Sequence, residues 1–416
     1  MKNAQSIHHS RIFIAFSLGM QISSCWADRL DQLEKSVEIL QKSNQQLEAR
    51  LVTAENKTKK QQSTLRKLKE AETPFNIHGF MSTYATKGKK NVDAQGLGID
   101  DHWSYRPDTM AAVQMDYAVA DNTKAIVQFI AHGYNDFDLN MSWGYVAYQM
   151  NDNWLFRLGR LQSNLYRYSE TLDVGFSYPW VRPPLSIYVV GISNVEGISS
   201  LFRYWLNDWL LEGDFVVGTA DFPNRFRSIK SRNSISSSIA VERDFLSARL
   251  NYVHAPTTIV EGIPDPFNTE YFVLSTQYDD NQWYVNLESS KILGDSYQKD
   301  LIGTAITIGY KLGRYTPFVS YEHIYSTKTS DDRLRSLVPE GIIAREQQSR
   351  NFQLGLRYDI DSRIAAKFQV DYFHDFDGTG SGIFDTIDES SILDAAKLAE
   401  LGDSNMLYSV GIDLVF

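Results

Sequence analysis

The sequence predicts an all-β chain: a 16-stranded antiparallel transmembrane β-barrel, preceded by an N-terminal α-helical coiled coil. Three observations carry this. First, apolar side chains alternate with polar or small ones up to the last residue: Tyr408, Val410, Ile412, Leu414 and Phe416 against Ser409, Gly411 and Asp413. That period of two puts five apolar side chains on one face of a strand. Second, sixteen such stretches follow residue 74, joined by alternating short and long connections. Third, no segment reaches the roughly 18 apolar residues of a membrane-spanning helix.

In chain order the expected strands are 75–86, 107–119, 123–132, 138–150, 154–160, 195–206, 209–218 and 232–242. They continue with 245–254, 269–278, 282–292, 301–311, 315–325, 350–358, 363–373 and 405–416. On 138–150 the expected apolar face is Leu139, Met141, Trp143, Tyr145 and Ala147. Seven connections are short and built from turn formers: Asp121 and Asn122, Asn151 to Asn153, Asn207 and Asp208, Arg243 and Asp244, Asp279 to Asn281, Leu312 to Arg314, and Asp359 to Asp361. Such residues reach left-handed backbone or bond their own main chain. The other eight are mostly long, and the longest of the early ones is the third, 161–194. Tight turns at one end and long loops at the other mark a membrane barrel with both termini on the turn side. Trp143, Trp154, Phe156, Tyr204, Trp209, Tyr252, Trp283, Tyr310 and Tyr408 lie near strand ends, where interfacial belts favour aromatic rings. A β-sandwich also alternates, but does not combine these features with an export leader.

That leader is the segment 1–27. Lys2 and Arg11 precede an apolar core from Ile12 to Ile22, and Ala27 ends a cleavage-like stretch. The alternative is a lipoprotein signal, with Ile22, Ser23, Ser24 and Cys25 as a lipobox. With the leader cut after Ala27, the mature chain has no cysteine, and losing Lys2 and Arg11 takes the net charge from −10 to −12. An acidic exported chain excludes the basic footprint of a nucleic-acid binder.

Residues 28–72 lack Gly and Pro and carry a heptad, with Leu30, Val37, Asn44, Leu51 and Leu65 at a and Leu33, Leu40, Leu47, Ala54 and Leu68 at d. Such a seam needs partner helices, so a homo-oligomer is expected. At 1.5 Å per residue the helix would span roughly 65 Å. Pro74 ends it.

Opposite the apolar face most strands carry polar residues, among them Gln114 and Asp116, Glu212 and Asp214, Asn286 and Glu288, Ser320 and Glu322, and Gln369 and Asp371. A barrel of this size leaves an aqueous interior that would hydrate them. Arg157, Arg203, Arg249, Arg357 and Lys367 are the basic lumen candidates, and they suggest a weak preference for anions.

The strand number, loop order and terminal strand resemble the trimeric sixteen-stranded outer-membrane porins of Gram-negative bacteria, over residues 75–416. The added coiled coil is closest in layout to DcaP-like porins, whose helical stalk is periplasmic. The resemblance implies a water-filled channel for passive diffusion of small hydrophilic solutes or ions, in a trimer embedded in outer-membrane lipid and lipopolysaccharide. It implies that the third loop narrows the pore, with Arg167, Glu170, Asp173 and Arg182 at the constriction. The acidic loop motif of many enterobacterial porins is absent. It also implies that Phe416 is the membrane-insertion signal read by the barrel-insertion machinery. The alternative function is a structural tether whose coiled coil engages peptidoglycan.

No cofactor, metal or catalytic activity is expected. Asp100, Asp101 and His102, or His374, Asp375 and Asp377, lack a metal-ligand spacing. A hydrolase would need Ser, His and an acid converging on one face, and His132, His254 and His323, the inward or near-rim histidines, have no evident serine partner. Residues 388–401 read as a capped helix in the eighth loop.

Overall fold

The computed structural model describes residues 75–92, 98–188, 194–223, 228–260, 266–294, 300–327, 348–376 and 399–416. The leader, the coiled-coil segment and most of 388–401 lie outside the described residues; of the last, 399–401 are helical.

Sixteen strands close into one antiparallel barrel. They are β1 (Phe75–Gly88), β2 (Met110–Ala120), β3 (Thr123–His132), β4 (Leu139–Gln149), β5 (Trp154–Gln162), β6 (Asn194–Leu206), β7 (Trp209–Pro223) and β8 (Ser228–Arg243). Then come β9 (Leu246–Val260), β10 (Phe267–Asp279), β11 (Trp283–Gly294), β12 (Leu301–Tyr310), β13 (Tyr315–Ser326), β14 (Gln348–Asp359), β15 (Ile364–His374) and β16 (Ser404–Val415). Each strand pairs with its chain neighbours, and β16 closes on β1 with Val415 opposite Phe80. Phe416 completes the seam: its N–H donates to the Gly79 carbonyl at 2.9 Å, and the Gly79 N–H returns the bond at 3.0 Å. Its ring lies where a side chain on Gly79 would stand.

The short turns use left-handed backbone at Asn207, Asp244, Asn281 and Gly313, where small or amide side chains tolerate positive φ. In the β10–β11 turn the Gln282 and Trp283 N–H groups donate to Asp280, holding its carboxyl below the usual range.

Burial is inverted relative to a water-soluble protein. Outward apolar side chains are exposed, as with Ile77, Leu158, Leu250, Leu354 and Ile412, while inward Gln369, Glu288, Asp371 and Asp413 are buried. A wall with apolar atoms outside and paired polar atoms inside suits lipid, which cannot hydrogen-bond a backbone or side chain. Exposed Trp154, Tyr204, Trp209, Trp283 and Tyr315 gather at the turn end of this band. Towards the other end Tyr321 and Phe352 pair across β13 and β14, and Tyr252 and Phe272 across β9 and β10.

Three expectations change. β7, β8 and β9 run several residues further towards the loop end than expected, where Ser, Thr, Asp and Pro interrupt the apolar alternation. On β4 a bulge shifts the register between Gln128–Trp143 and Phe129–Met141. One extra residue reverses every later side chain. Leu139 and Met141 face outward as expected, but Trp143, Tyr145 and Ala147 turn inward, and Val146 and Tyr148 take the outer face. Third, the interior is not polar throughout. Val195, Val216, Val253, Tyr271, Val273, Ile292 and Leu301 pack inside the wall against Leu161, Leu165 and Ile187. A second inner core joins Val92, Ile99, Phe373, Phe376, Leu401 and Leu407.

Candidate functional site

The third long connection, residues 163–193, is described to Tyr188 and is folded inside the barrel. Leu165, Tyr166, Tyr178, Trp180, Val181, Arg182 and Ile187 are all at most 7% exposed, which no surface loop would show. Its backbone polar groups need partners once they leave water, and the inward faces of the strands supply them.

The attachment can be followed along the loop. Asn164 donates to Asp214 of β7 at 3.0 Å and accepts from Ser236 of β8. Arg167 donates to Gln277 of β10 and Ser247 of β9, both at 2.7 Å. The Tyr168 and Tyr284 hydroxyls lie 2.6 Å apart, and burial pushes the Tyr168 phenol up to about 12. The Trp180 indole stands edge-on to Tyr168 and Tyr284, and its Nε1–H donates to Thr307 and Ser320. The Val181 N–H donates to Gln369, and the Ser186 N–H donates to Glu322 at 2.9 Å. Tyr188 donates to Glu288.

Two buried ion-pair groups fasten the middle of the loop. Arg182 reaches Asp108 at 2.5 Å, Asp371 of β15 at 3.2 Å and the Ser409 hydroxyl at 2.7 Å. Burial opposes its charge, but the two carboxylates outweigh burial and hold the guanidinium more basic than usual. Lys367 pairs with Asp413 at 2.8 Å and donates to the carbonyls of Gly175 and Trp180. Ser82 and Tyr84 also donate to Asp413, each at 2.6 Å. Loop and wall come too close here for side chains: a Cβ on Gly175 would lie 2.3 Å from Asp413, and one on Gly303 would lie 2.2 Å from the Ser186 carbonyl oxygen.

The residues singled out in the sequence separate into groups. Arg182 is buried among its acids, and Arg167 is half-buried on β9 and β10. Glu170 and Asp173 lie on the opposite edge of the loop, with side chains 60% and 26% exposed. Arg157 is buried and joins Asp214 at 2.8 Å to Glu170 at 3.3 Å. Arg357 pairs with Asp359 and donates to the loop carbonyls of Phe176 and Tyr178. Arg203 stands at the turn-end rim, exposed and paired with Glu212. Arg249 lines a small cavity with Arg167, Glu212 and Ser247. The acids that pair with these cations, above all Asp108, Asp214, Asp371 and Asp413, come from elements far away in sequence.

A cavity of about 170 Å³ lies between the loop and the β1–β16 seam, lined by Tyr84, Asp108, Tyr134, Leu172, Tyr178 and Arg182. Beside it His132 meets Asp173 at 3.1 Å. His254 and His323 stand on the outer face, in register with the outward residues Glu270 and Arg350 rather than inside. Asp100, Asp101 and His102 bring their ligand atoms within 4.8 Å of one another, but they are partly exposed, and the His102 N–H closes this loop on Asp100.

No family model and no curated protein sequence matches the chain. Solved structures do. The anion-selective porin from Comamonas acidovorans superposes with a TM-score of 0.54 at 14% identity, covering 82% of this chain and 99% of that one. For Salmonella typhi OmpF in complex with daunomycin the values are 0.53, 12%, 82% and 97%. For the outer membrane channel DcaP of Acinetobacter baumannii they are 0.50, 16%, 82% and 97%. The closed barrel of residues 75–416 has the fold of the sixteen-stranded outer-membrane porins.

Proposed function

We propose that the barrel is an outer-membrane channel for passive diffusion of small hydrophilic solutes or ions, narrowed by the third loop. The inverted burial of the wall is the observation that carries this reading: an apolar belt outside and hydrogen-bonded polar groups inside suit a water path through lipid. The path runs along β2 to β5. There Gln114, Asp116, Tyr145, Glu170 and Asp173 keep contact with solvent, whereas inward residues of β9 to β13 are largely covered by the loop.

Within the same reading, the leader 1–27 is removed and the coiled coil 28–72 extends into the periplasm and holds the chains as a trimer. The apolar belt faces lipid and lipopolysaccharide, and Phe416 serves the insertion machinery. In planar bilayers the purified protein is expected to add current in uniform steps, and ion-impermeable barrels would sink the proposal.

One observation favours the second reading, a tether to peptidoglycan. The two apolar cores inside the barrel fill space that a wide pore would leave to water. Deleting residues 28–72 separates the two. A channel keeps its conductance, whereas a tether shows none before or after the deletion and loses attachment to the envelope.

A further inference from the structure

We infer that the passage selects cations, at an aperture where Asp116 of β2 and Glu170 of the third loop share one wall, with Asp173 nearer the loop-end mouth. The inference rests on the channel reading and reverses the preference that the basic residues suggest in the sequence.

The argument is a charge balance along the water path. Most cations facing the interior are already engaged by acids. Arg182 and Lys367 are buried against Asp108, Asp371 and Asp413. Arg157, with only 9% of its side chain exposed, is divided between Asp214 and Glu170. Arg357 is held by Asp359 and by two carbonyls. Arg167 donates to the uncharged Gln277 and Ser247 and keeps its charge, but on β10 and β9, across the barrel from β2. Lys124, on β3, is exposed and level with Arg157 through Ala147, so it offsets one of the carboxylates on this wall, while Arg249 stands on β9, across the barrel from β2.

The carboxylates beside the path are different. Glu170 is 60% exposed and shares the one guanidinium of Arg157 with Asp214. Asp173 is 26% exposed and meets only His132, and Asp116 is 23% exposed and meets His78 at 3.8 Å and the Gln114 amide at 2.9 Å. Asp116 and Glu170 share one edge: Asp116 is in register with Ile126, Ile126 with Tyr145, and the Tyr145 ring covers the Arg157 guanidinium that binds Glu170.

Reversal potentials of the full-length protein in a potassium chloride gradient test this. The wild type is expected to reverse on the cation side. Glu170→Gln and Asp116→Asn, made separately, are each expected to lower the cation-to-anion permeability ratio by roughly twofold to fivefold, the effect of one unit charge a few ångströms from an ion in water. Asp116→Asn removes no ion pair to Arg or Lys, so it stays informative should Glu170→Gln disturb the loop. Conductance with anion-side reversal, or variants that leave the ratio unchanged, overturns the selectivity while leaving the channel intact. Absence of any conductance overturns both.

Discussion

Arg182→Ala is expected to release the third loop from the wall. The substitution leaves Asp108 and Asp371 facing each other's charge with no cation, in a place where both are at most 8% exposed. Breaking a buried ion pair from one side costs about 3–5 kcal/mol, chiefly because the remaining charge stays desolvated. The docked segment recovers much of that by lifting away and letting water reach the acids, so the change is local unfolding of the loop rather than of the barrel. Single-channel conductance is expected to rise, and limited proteolysis to cut within 163–188. Arg182→Lys restores little, because an ammonium cannot reach Asp108, Asp371 and the Ser409 hydroxyl as the guanidinium fork does. Unchanged conductance and an uncut loop in Arg182→Ala would show that the loop is held by its apolar contacts instead.

The second large effect is expected at Lys367. Its ammonium ties Asp413, on the closing strand, to the Gly175 and Trp180 carbonyls of the loop. Lys367→Met removes the cation and two donors at once, leaving Asp413 with Ser82 and Tyr84. The cost is again about 3–5 kcal/mol. It falls on the β1–β16 seam as well as on the loop, so thermal unfolding in detergent is expected at lower temperature, together with raised conductance. Adding Asp413→Asn is expected to recover most of the thermal stability, since the amide carries no charge, its oxygen accepts from one of the Ser82 and Tyr84 hydroxyls, and the other hydroxyl can turn to accept from its NH2. It should not recover loop docking, because the Lys367 donors stay absent. Equal melting of wild type and Lys367→Met would refute this account of the seam.

Much of the barrel was legible because lipid imposes a simple rule on one face. Where outward residues are apolar the period of two holds, and the expected limits of β3, β5, β6 and β11 to β16 lie within about two residues of those observed. The pairing of β16 with β1 follows from counting strands. The loop-ward ends of β7, β8 and β9 were not legible, since Ser, Thr, Asp and Pro there break the apolar alternation while the backbone ladder continues. The reversal on β4 was hidden because a single bulged residue leaves composition unchanged while exchanging inside for outside. The inner apolar cores leave a trace on single strands: Tyr271 and Val273 are inward while Phe272 and Leu274, between and after them, are outward. Apolar residues on both faces of one strand were the available signal.

The site was legible in part. The third loop and its charged residues stood out by length and composition, but their roles depend on partners that no local pattern reveals. Arg182 finds Asp108, 74 residues away, and Asp371, 189 away. Arg157 and Lys367 were read as free lumen cations, and both are consumed by acids on neighbouring elements. Charge counts along a sequence cannot separate a paired cation from an exposed one, which is why the cation preference inferred for the path runs against them.

The central claim is that this wall has lipid outside and polar interior inside. It is tested most directly by a label scan along β14. Environment-sensitive probes are placed singly, in a Cys25→Ser background, at 351, 352, 353, 354 and 356 of the bilayer-reconstituted protein. Phe352, Leu354 and Leu356 are exposed on the outer face, and Asn351 and Gln353 are buried inside. Probes at 352, 354 and 356 are expected to be quenched by brominated lipid, and those at 351 and 353 to be spared. Quenching at 351 and 353 instead, or at none of the five, would contradict the account.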